Sequence, residues 1–168
     1  MADSTILNLN LQTTGSNSGT WGNVTNENLQ KLESAIKGYV SIAITGTTQS
    51  LSVSSGGTTD EQSNVAIKLT GTLAGNTVLS CEAVETWYII DNATTMSTHS
   101  LTFKPSGGTG VDLVAGSKHI IYTDGTTAFD VSADFGNVKA NGTLEATGNV
   151  SFDGGTFTFN ESSADVDA

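Results

Sequence analysis

Arginine is absent from this sequence. The six basic residues are all lysines, whereas aspartate and glutamate together number 17, so the net charge at pH 7 is −11. A surface that binds nucleic acid needs cationic groups that displace counterions from phosphates, and this charge argues against such a partner. It argues equally against binding to an anionic membrane. Mutual repulsion is instead expected to keep exposed copies of the chain soluble.

Cysteine and long apolar runs are scarce as well. Cys81 is the only cysteine, so the chain cannot form an internal disulfide, and its apolar neighbours predict a buried thiol. No uninterrupted run of about 18 apolar residues occurs, which predicts that the chain does not span a membrane. Residues 1–12 lack the basic start and apolar centre of a secretory signal. We therefore expect assembly in the cytoplasm rather than export.

Side chains that could perform chemistry are few. His99 and His119 lie on different predicted strands, with no partner at the spacing of a metal site. Sugar hydrolysis requires a pair of carboxylates, but aromatic residues make up only 7% of the chain, too few for a long aromatic groove. We therefore expect Asp60 and Glu61 to be solvated surface acids. The sequence predicts no enzyme, no cofactor and no metal, and it offers no catalytic, cofactor-binding or metal-binding residue.

The most informative stretch present is a run of glycine, serine and threonine that ends at Trp21 and Gly22. Glycine permits close approach to another surface, and a large aromatic side chain is an effective anchor. Leu9 and Leu11 partly alternate with polar residues, which predicts an extended docking arm over residues 1–22. We expect these four residues to contact a partner. The alternative is that Trp21 packs on the chain's own core.

Residues 23–38 are typical of a short amphipathic helix. Leu29, Leu32 and Ile36 fall at i, i+3 and i+7 and form one apolar stripe, and Gly38 follows the last turn. A helix of this length is not stable alone in water, so the stripe must be buried. Either the rest of the chain covers it, or the same helix does in two other copies around a threefold axis.

The sequence after the helix predicts β structure. Residues 39–133 contain many short apolar runs separated by turn residues, which is typical of an antiparallel β-sandwich. Asp124 and Gly125 between two such runs are the strongest hairpin signal. Trp87–Ile90 is continuously apolar and predicts a central strand. The overall prediction is a mainly β fold with one N-terminal helix.

The composition changes again in residues 134–168. The triplet Gly-Asn-Val at residues 136–138 recurs at residues 148–150, and single apolar residues alternate with glycine and asparagine. Such sparse apolar positions cannot close a core in one copy, but three chains wound together, or rungs stacked as in a β-solenoid, can bury them. We expect the start of a trimeric β shaft. A flexible glycine-rich tail is the alternative.

The run from Leu9 to Tyr39, with LQTTGSNSGTWGNVTNENLQKLESAIKG at its centre, resembles the N-terminal region of tail fibre proteins of tailed bacteriophages, notably those of marine cyanobacterial phages. The segments TWYIIDNAT and AGSKHIIYTDGTTAFDV are similar to the same proteins, so the resemblance extends through about residue 130. It implies a structural virion protein that anchors a trimeric fibre to the phage tail and is assembled in the host cytoplasm.

The resemblance also implies partners. They are a tail protein such as an adaptor, nozzle or tube protein, two further copies of the chain, and a distal fibre protein if this chain is a connector. Tail fibres usually carry a long distal receptor-binding region, so the chain is either a short connector or the proximal part of a longer fibre. A carbohydrate- or receptor-binding module, or a capsid decoration or head-fibre protein, is the alternative.

An exposed aromatic cluster on one sheet face would favour the carbohydrate-binding module. Trp87, Tyr88 and Tyr122 are the candidates for such a cluster, and we expect Trp87 and Tyr88 to be buried.

Overall fold

A computed structural model describes residues 2–53 and 60–132 of the chain. The described part contains one helix and eleven strands, so the prediction of a mainly β fold with a single helix is confirmed. The predicted shaft or tail, residues 134–168, lies outside the described residues.

The N-terminal arm folds back on itself instead of staying extended. Strand β1 (Ala2–Asp3) pairs antiparallel with β2 (Asn10–Leu11). The Ser4 N–H donates to the Leu9 carbonyl at 2.8 Å and closes the loop between them. Short strands satisfy their backbone groups only by pairing, and in the arm this partner is local. Turns then lead to the helix.

The helix α1 comprises Trp21–Lys37 and therefore begins before residue 23. The Gly38 N–H donates to the Ser34 carbonyl at 2.7 Å. Gly38 has an extended backbone (φ −65°, ψ 142°), which leads the chain directly into the first strand of the β domain. Within the described ranges, no helix is long and apolar enough to cross a membrane.

Nine strands follow the helix, close to the positions that the apolar runs predict. They are β3 (Tyr39–Ala43), β4 (Thr48–Ser50), β5 (Ala66–Thr70), β6 (Thr77–Cys81), β7 (Glu85–Asn92), β8 (Leu101–Pro105), β9 (Val111–Asp112), β10 (Lys118–Asp124) and β11 (Ala128–Asp130).

These strands form two mixed sheets, one of five strands in the order β11-β10-β7-β5-β3 and one of four in the order β4-β6-β8-β9. From β3 to β8 the chain passes from one sheet to the other between consecutive strands, so β3, β5 and β7 are parallel, as are β4, β6 and β8. The prediction of antiparallel pairing is wrong for these four pairs. Apolar residues alternate in the same way in parallel and antiparallel strands. The turns between these strands lead from one sheet to the other and do not form hairpins.

One buried cluster is built from both sheets, and its members alternate along their strands with more exposed residues. The cluster comprises Ile42, Ile44, Leu51, Ile67, Leu69, Leu73, Leu79, Cys81, Tyr88, Ile90, Leu101, Phe103, Leu113, Ile121 and Ala128. The prediction that Cys81 is buried is therefore confirmed, and burial raises the pKa of its thiol to about 11.

The predicted hairpin joins β10 and β11, which pair antiparallel. Gly125 has φ 88°, a conformation that favours glycine. The Asp124 carboxylate accepts hydrogen bonds from the N–H groups of Thr126 and Thr127 at 2.8 and 2.7 Å. Strand β7 lies between β10 and β5, so Trp87–Ile90 forms part of a central strand, as predicted.

Candidate docking surfaces on the arm, the helix and the outer sheet

Polar side chains attach the N-terminal arm to the helix. The Asn10 N–H donates to Asn28 Oδ1 at 2.8 Å, and Asn28 Nδ2 donates back to the Asn10 carbonyl at 3.0 Å. Lys31 Nζ donates to the Asn8 carbonyl at 3.1 Å, and Asn8 Nδ2 donates to Glu82 Oε2 at 2.9 Å. The arm therefore uses its polar positions to bind its own subunit.

A buried ion pair fixes the helix to the segment that follows residue 60. Lys31 Nζ lies 3.3 Å from Asp60 Oδ2, with side chains only 1% and 3% exposed. Asn64 Nδ2 donates to the Asp60 carbonyl at 2.9 Å, and the Val65 N–H donates to the Ser34 carbonyl at 3.3 Å. The expectation that Asp60 is a solvated surface acid is therefore wrong, because its carboxylate is buried against an ammonium group.

The four arm residues expected to contact a partner are accessible to different degrees. Leu9 is half-buried, whereas Leu11, Trp21 and Gly22 are exposed. Trp21 is the first residue of α1 and is 63% exposed, so among the described residues it does not pack into a core. Its contact with a partner stays a prediction.

The apolar stripe of α1 is exposed as well. Leu29, Leu32 and Ile36 are 57%, 36% and 72% exposed. The helix binds the described part of the chain through the neighbouring face, which carries Asn28 and the buried Lys31. Of the two expected coverings, burial against the described β domain is therefore not observed, and burial against other copies stays a prediction.

A second exposed apolar surface covers the outer face of the five-stranded sheet. Trp87, Tyr122 and Phe129 lie side by side on β7, β10 and β11, and Ile89 pairs with Ile120 in the next row. All five side chains are between 39% and 52% exposed. The Tyr122 and Phe129 rings are nearly parallel, with an interplanar angle of 18° and centroids 6.3 Å apart. We call these five residues the outer sheet patch.

The prediction that Trp87 is buried is wrong, whereas Tyr88 is buried as expected. The run Trp87–Ile90 alternates in the usual way, so Tyr88 and Ile90 enter the core while Trp87 and Ile89 point outward. The continuous apolar run predicted that both faces of the sheet are covered at this strand, but among the described residues only the inner face is covered. The same holds for β10, where Ile120 and Tyr122 are exposed and Ile121 between them is buried, so apolarity along these strands does not indicate which face is covered.

The buried His119 and the half-buried Asp130 form a short polar contact in the β domain. His119 Nδ1 lies 2.5 Å from Asp130 Oδ2, and the Val114 N–H donates to His119 Nε2 at 3.2 Å. Because Nε2 accepts, Nδ1 carries the proton and donates it to the carboxylate. Burial raises the pKa of Asp130, but hydrogen bonds from Ser132 and His119 outweigh it and lower the pKa below its ordinary value.

A cavity lies beneath the arm. The cavity of about 250 Å³ is lined by residues that include Leu7, Gln62 and Tyr88. In the described ranges, no group of three or more histidine, cysteine or acidic side chains could hold a metal ion. The exposed apolar surfaces that a partner could cover are the helix stripe with Trp21 and the outer sheet patch.

Comparisons with protein-family models, with curated proteins and with solved structures each found no match. The function is therefore argued from the geometry of these surfaces and from the resemblance carried by Leu9 to Tyr39.

Proposed function

We propose that this chain is a structural virion protein, the tail fibre of a tailed bacteriophage or its proximal part, and that it anchors a trimeric fibre to the tail. One observation carries the proposal. The helix has one face held by its own arm through Asn28 and Lys31, while Trp21 and the apolar stripe are exposed. Exposed apolar side chains of this kind are suited to contacts with other proteins in an assembly.

Trp21 is the proposed anchor. Aromatic side chains contribute most of the free energy of many interfaces because they bury a large rigid area. A single anchor that is 63% exposed supports only a weak contact, but three copies held together bind multivalently and convert weak contacts into a stable attachment. Leu11, which is also exposed, extends this contact along the arm.

The partner is proposed to be an adaptor, nozzle or tube protein of the tail, and a distal fibre protein follows if this chain is a connector. Assembly takes place in the host cytoplasm, and the mature location is the virion. A capsid decoration or head-fibre protein would use the same arm on a different virion protein, so particle fractionation into heads and tails distinguishes the two.

Incorporation into virions tests the anchoring role. A Trp21→Ala chain, supplied to phage that lack the wild-type copy, should form trimers but be lost from purified particles. Asn23→Ala, an exposed position two residues along the same helix, is the matched control and should be incorporated normally. Normal incorporation of the Trp21→Ala chain would refute the anchor.

A specific observation also favours a carbohydrate-binding function. The outer sheet patch places Trp87, Tyr122 and Phe129 in one exposed row, and sugar rings present apolar faces that stack on aromatic side chains. The net charge of −11 would exclude acidic polysaccharides by repulsion, so the ligand would be a neutral glycan. Calorimetric titration with neutral host polysaccharide should then lose its signal in Tyr122→Ala but retain it in Tyr39→Ala.

Tyr39 is a suitable control because it is exposed on the edge strand of the same sheet but lies outside the aromatic row. Absence of binding by the wild-type chain, or equal binding by both variants, would rule out the patch as a glycan site.

A further inference from the structure

We infer that the exposed stripe of α1 is the contact between copies of this chain, with the helices packed parallel around a common axis. The number of copies, three, rests on the proposed function, whereas the contact itself is argued from the helix.

The spacing of the stripe is that of a self-associating helix. Gly22, Thr25, Leu29, Leu32 and Ile36 follow one another at alternating steps of three and four residues, which is the a and d pattern of a coiled coil. The three large apolar residues occupy the last two a positions and the d position between them. A Cβ built on Gly22 would meet no atom within 4 Å, so the small first position leaves room for a neighbouring helix.

The helix cannot turn this stripe toward its own described domain. Asn28 is bound to Asn10, and Lys31 forms the buried pair with Asp60. Both contacts fix the rotation of α1 about its axis. The stripe is therefore held outward, and only another molecule or a part of the chain beyond the described ranges can cover it.

The positions beside the stripe carry little charge, which permits a contact between copies. Copies with a net charge of −11 repel one another, so their contact must carry little charge. The positions that flank the seam are Asn26, Asn28, Glu33 and Ala35, with one charge among them. In a parallel arrangement the g position of one helix faces the following e position of the next, which places Glu33 near the uncharged Asn28. Copies arranged in a closed ring about one axis are related by rotation alone, so their helices point in the same direction.

Native mass spectrometry of the full chain at micromolar concentration tests the contact. We expect the wild type at three times the 17.2 kDa of one chain and the double variant Leu29→Ser with Ile36→Ser at one chain, a threefold decrease in mass. Both residues are exposed, so far-ultraviolet circular dichroism should stay unchanged. The matched control, Ile89→Ser with Ile120→Ser on the outer sheet patch, should remain a trimer.

Three outcomes would overturn the inference. They are a monomeric wild type, a helix double variant that remains trimeric, and dissociation of the sheet control variant. A monomeric wild type whose stripe is protected from hydrogen exchange would show that residues outside the described ranges cover it. If the double variant dissociates as expected but the Trp21→Ala chain still enters virions, the helix contact stands and the proposed anchor is refuted. The two failures are therefore distinguishable.

Cross-linking tests the orientation. Gly22 lies at one end of the seam, about 21 Å from Ile36 along the helix. In a parallel bundle the substituted Gly22→Cys meets its own counterpart and should form covalent dimers on mild oxidation. Asn23→Cys, at an exposed position outside the seam and at the same end of the helix, is the control and should not. Failure of Gly22→Cys to cross-link within an intact trimer would refute the parallel arrangement.

Discussion

Asn28 binds Asn10 through a reciprocal pair of hydrogen bonds, in which its side-chain amide accepts from the Asn10 N–H at 2.8 Å and donates to the Asn10 carbonyl at 3.0 Å. A side-chain amide thus replaces a neighbouring strand and satisfies both backbone groups of an arm residue. The arm is attached to the helix at this point without using an apolar side chain, which leaves Leu11 and Trp21 exposed.

Replacing Asn28 should release the arm without unfolding the β domain. Two hydrogen bonds at about 1 kcal/mol each predict that Asn28→Ala raises the exchange rate of the Asn10 amide roughly 30-fold. Hydrogen exchange measured by mass spectrometry checks this, with the exposed Asn26→Ala as control. Unchanged protection of the arm would contradict the assigned contact.

Loss of the lysine from the buried ion pair should be costly. Lys31→Met keeps the aliphatic stem but leaves the Asp60 carboxylate buried without its ammonium partner, which predicts a loss of about 3–5 kcal/mol in the free energy of unfolding. Lys37→Met, at an exposed position of the same helix, should cost less than about 1 kcal/mol. Urea unfolding measures both, and equal effects would show that burial of the pair is unimportant.

Acidification should weaken the contact between His119 and Asp130. The pKa of Asp130 is lower in the folded chain than its ordinary value, so its ionised form stabilises the fold above the unfolded pKa of about 3.9. That contribution is lost as the pH falls through the folded value. Asp130→Asn should therefore destabilise the chain at pH 7 by about 1–2 kcal/mol. The difference from wild type should shrink as the pH falls below the unfolded pKa and through the lower folded pKa, which urea unfolding at a series of pH values measures.

The thiol of Cys81 should be inert in the folded chain. Burial raises its pKa to about 11, and the thiolate is the reactive form, so at pH 8 its reaction with a disulfide reagent should be roughly 100-fold or more slower than that of a free cysteine. The chain unfolded in guanidinium chloride is the control and should react fully. Rapid reaction of the native chain would place Cys81 outside the core.

The sequence predicted the elements better than their arrangement. The hairpin at Asp124 and Gly125 and the central position of Trp87–Ile90 follow from turn chemistry and apolarity, and both are observed. The parallel pairing of β3 with β5 could not be predicted, because alternation records which face is buried but not the direction of the neighbouring strand. The buried partners Lys31 and Asp60 lie far apart in sequence, and neither has a local signal.

The candidate surfaces were also predicted only in part from the sequence. The stripe of Leu29, Leu32 and Ile36 is visible in the sequence, but only the structure reveals that the described domain leaves it exposed. Of the outer sheet patch, the sequence offered Tyr122 as a candidate for an exposed aromatic cluster, but it predicted Trp87 to be buried because large apolar residues are expected inside a domain.

The sequence by itself determined the charge, the helix stripe, the turn positions and the β character of this chain, because each depends on local composition and periodicity. The tertiary structure decided the direction of strand pairing, the attachment of Asn10 to Asn28 and the exposure of Trp21 and Trp87. These depend on contacts between residues distant along the chain, and their free energies arise only when packing brings the partners together and excludes water from between them.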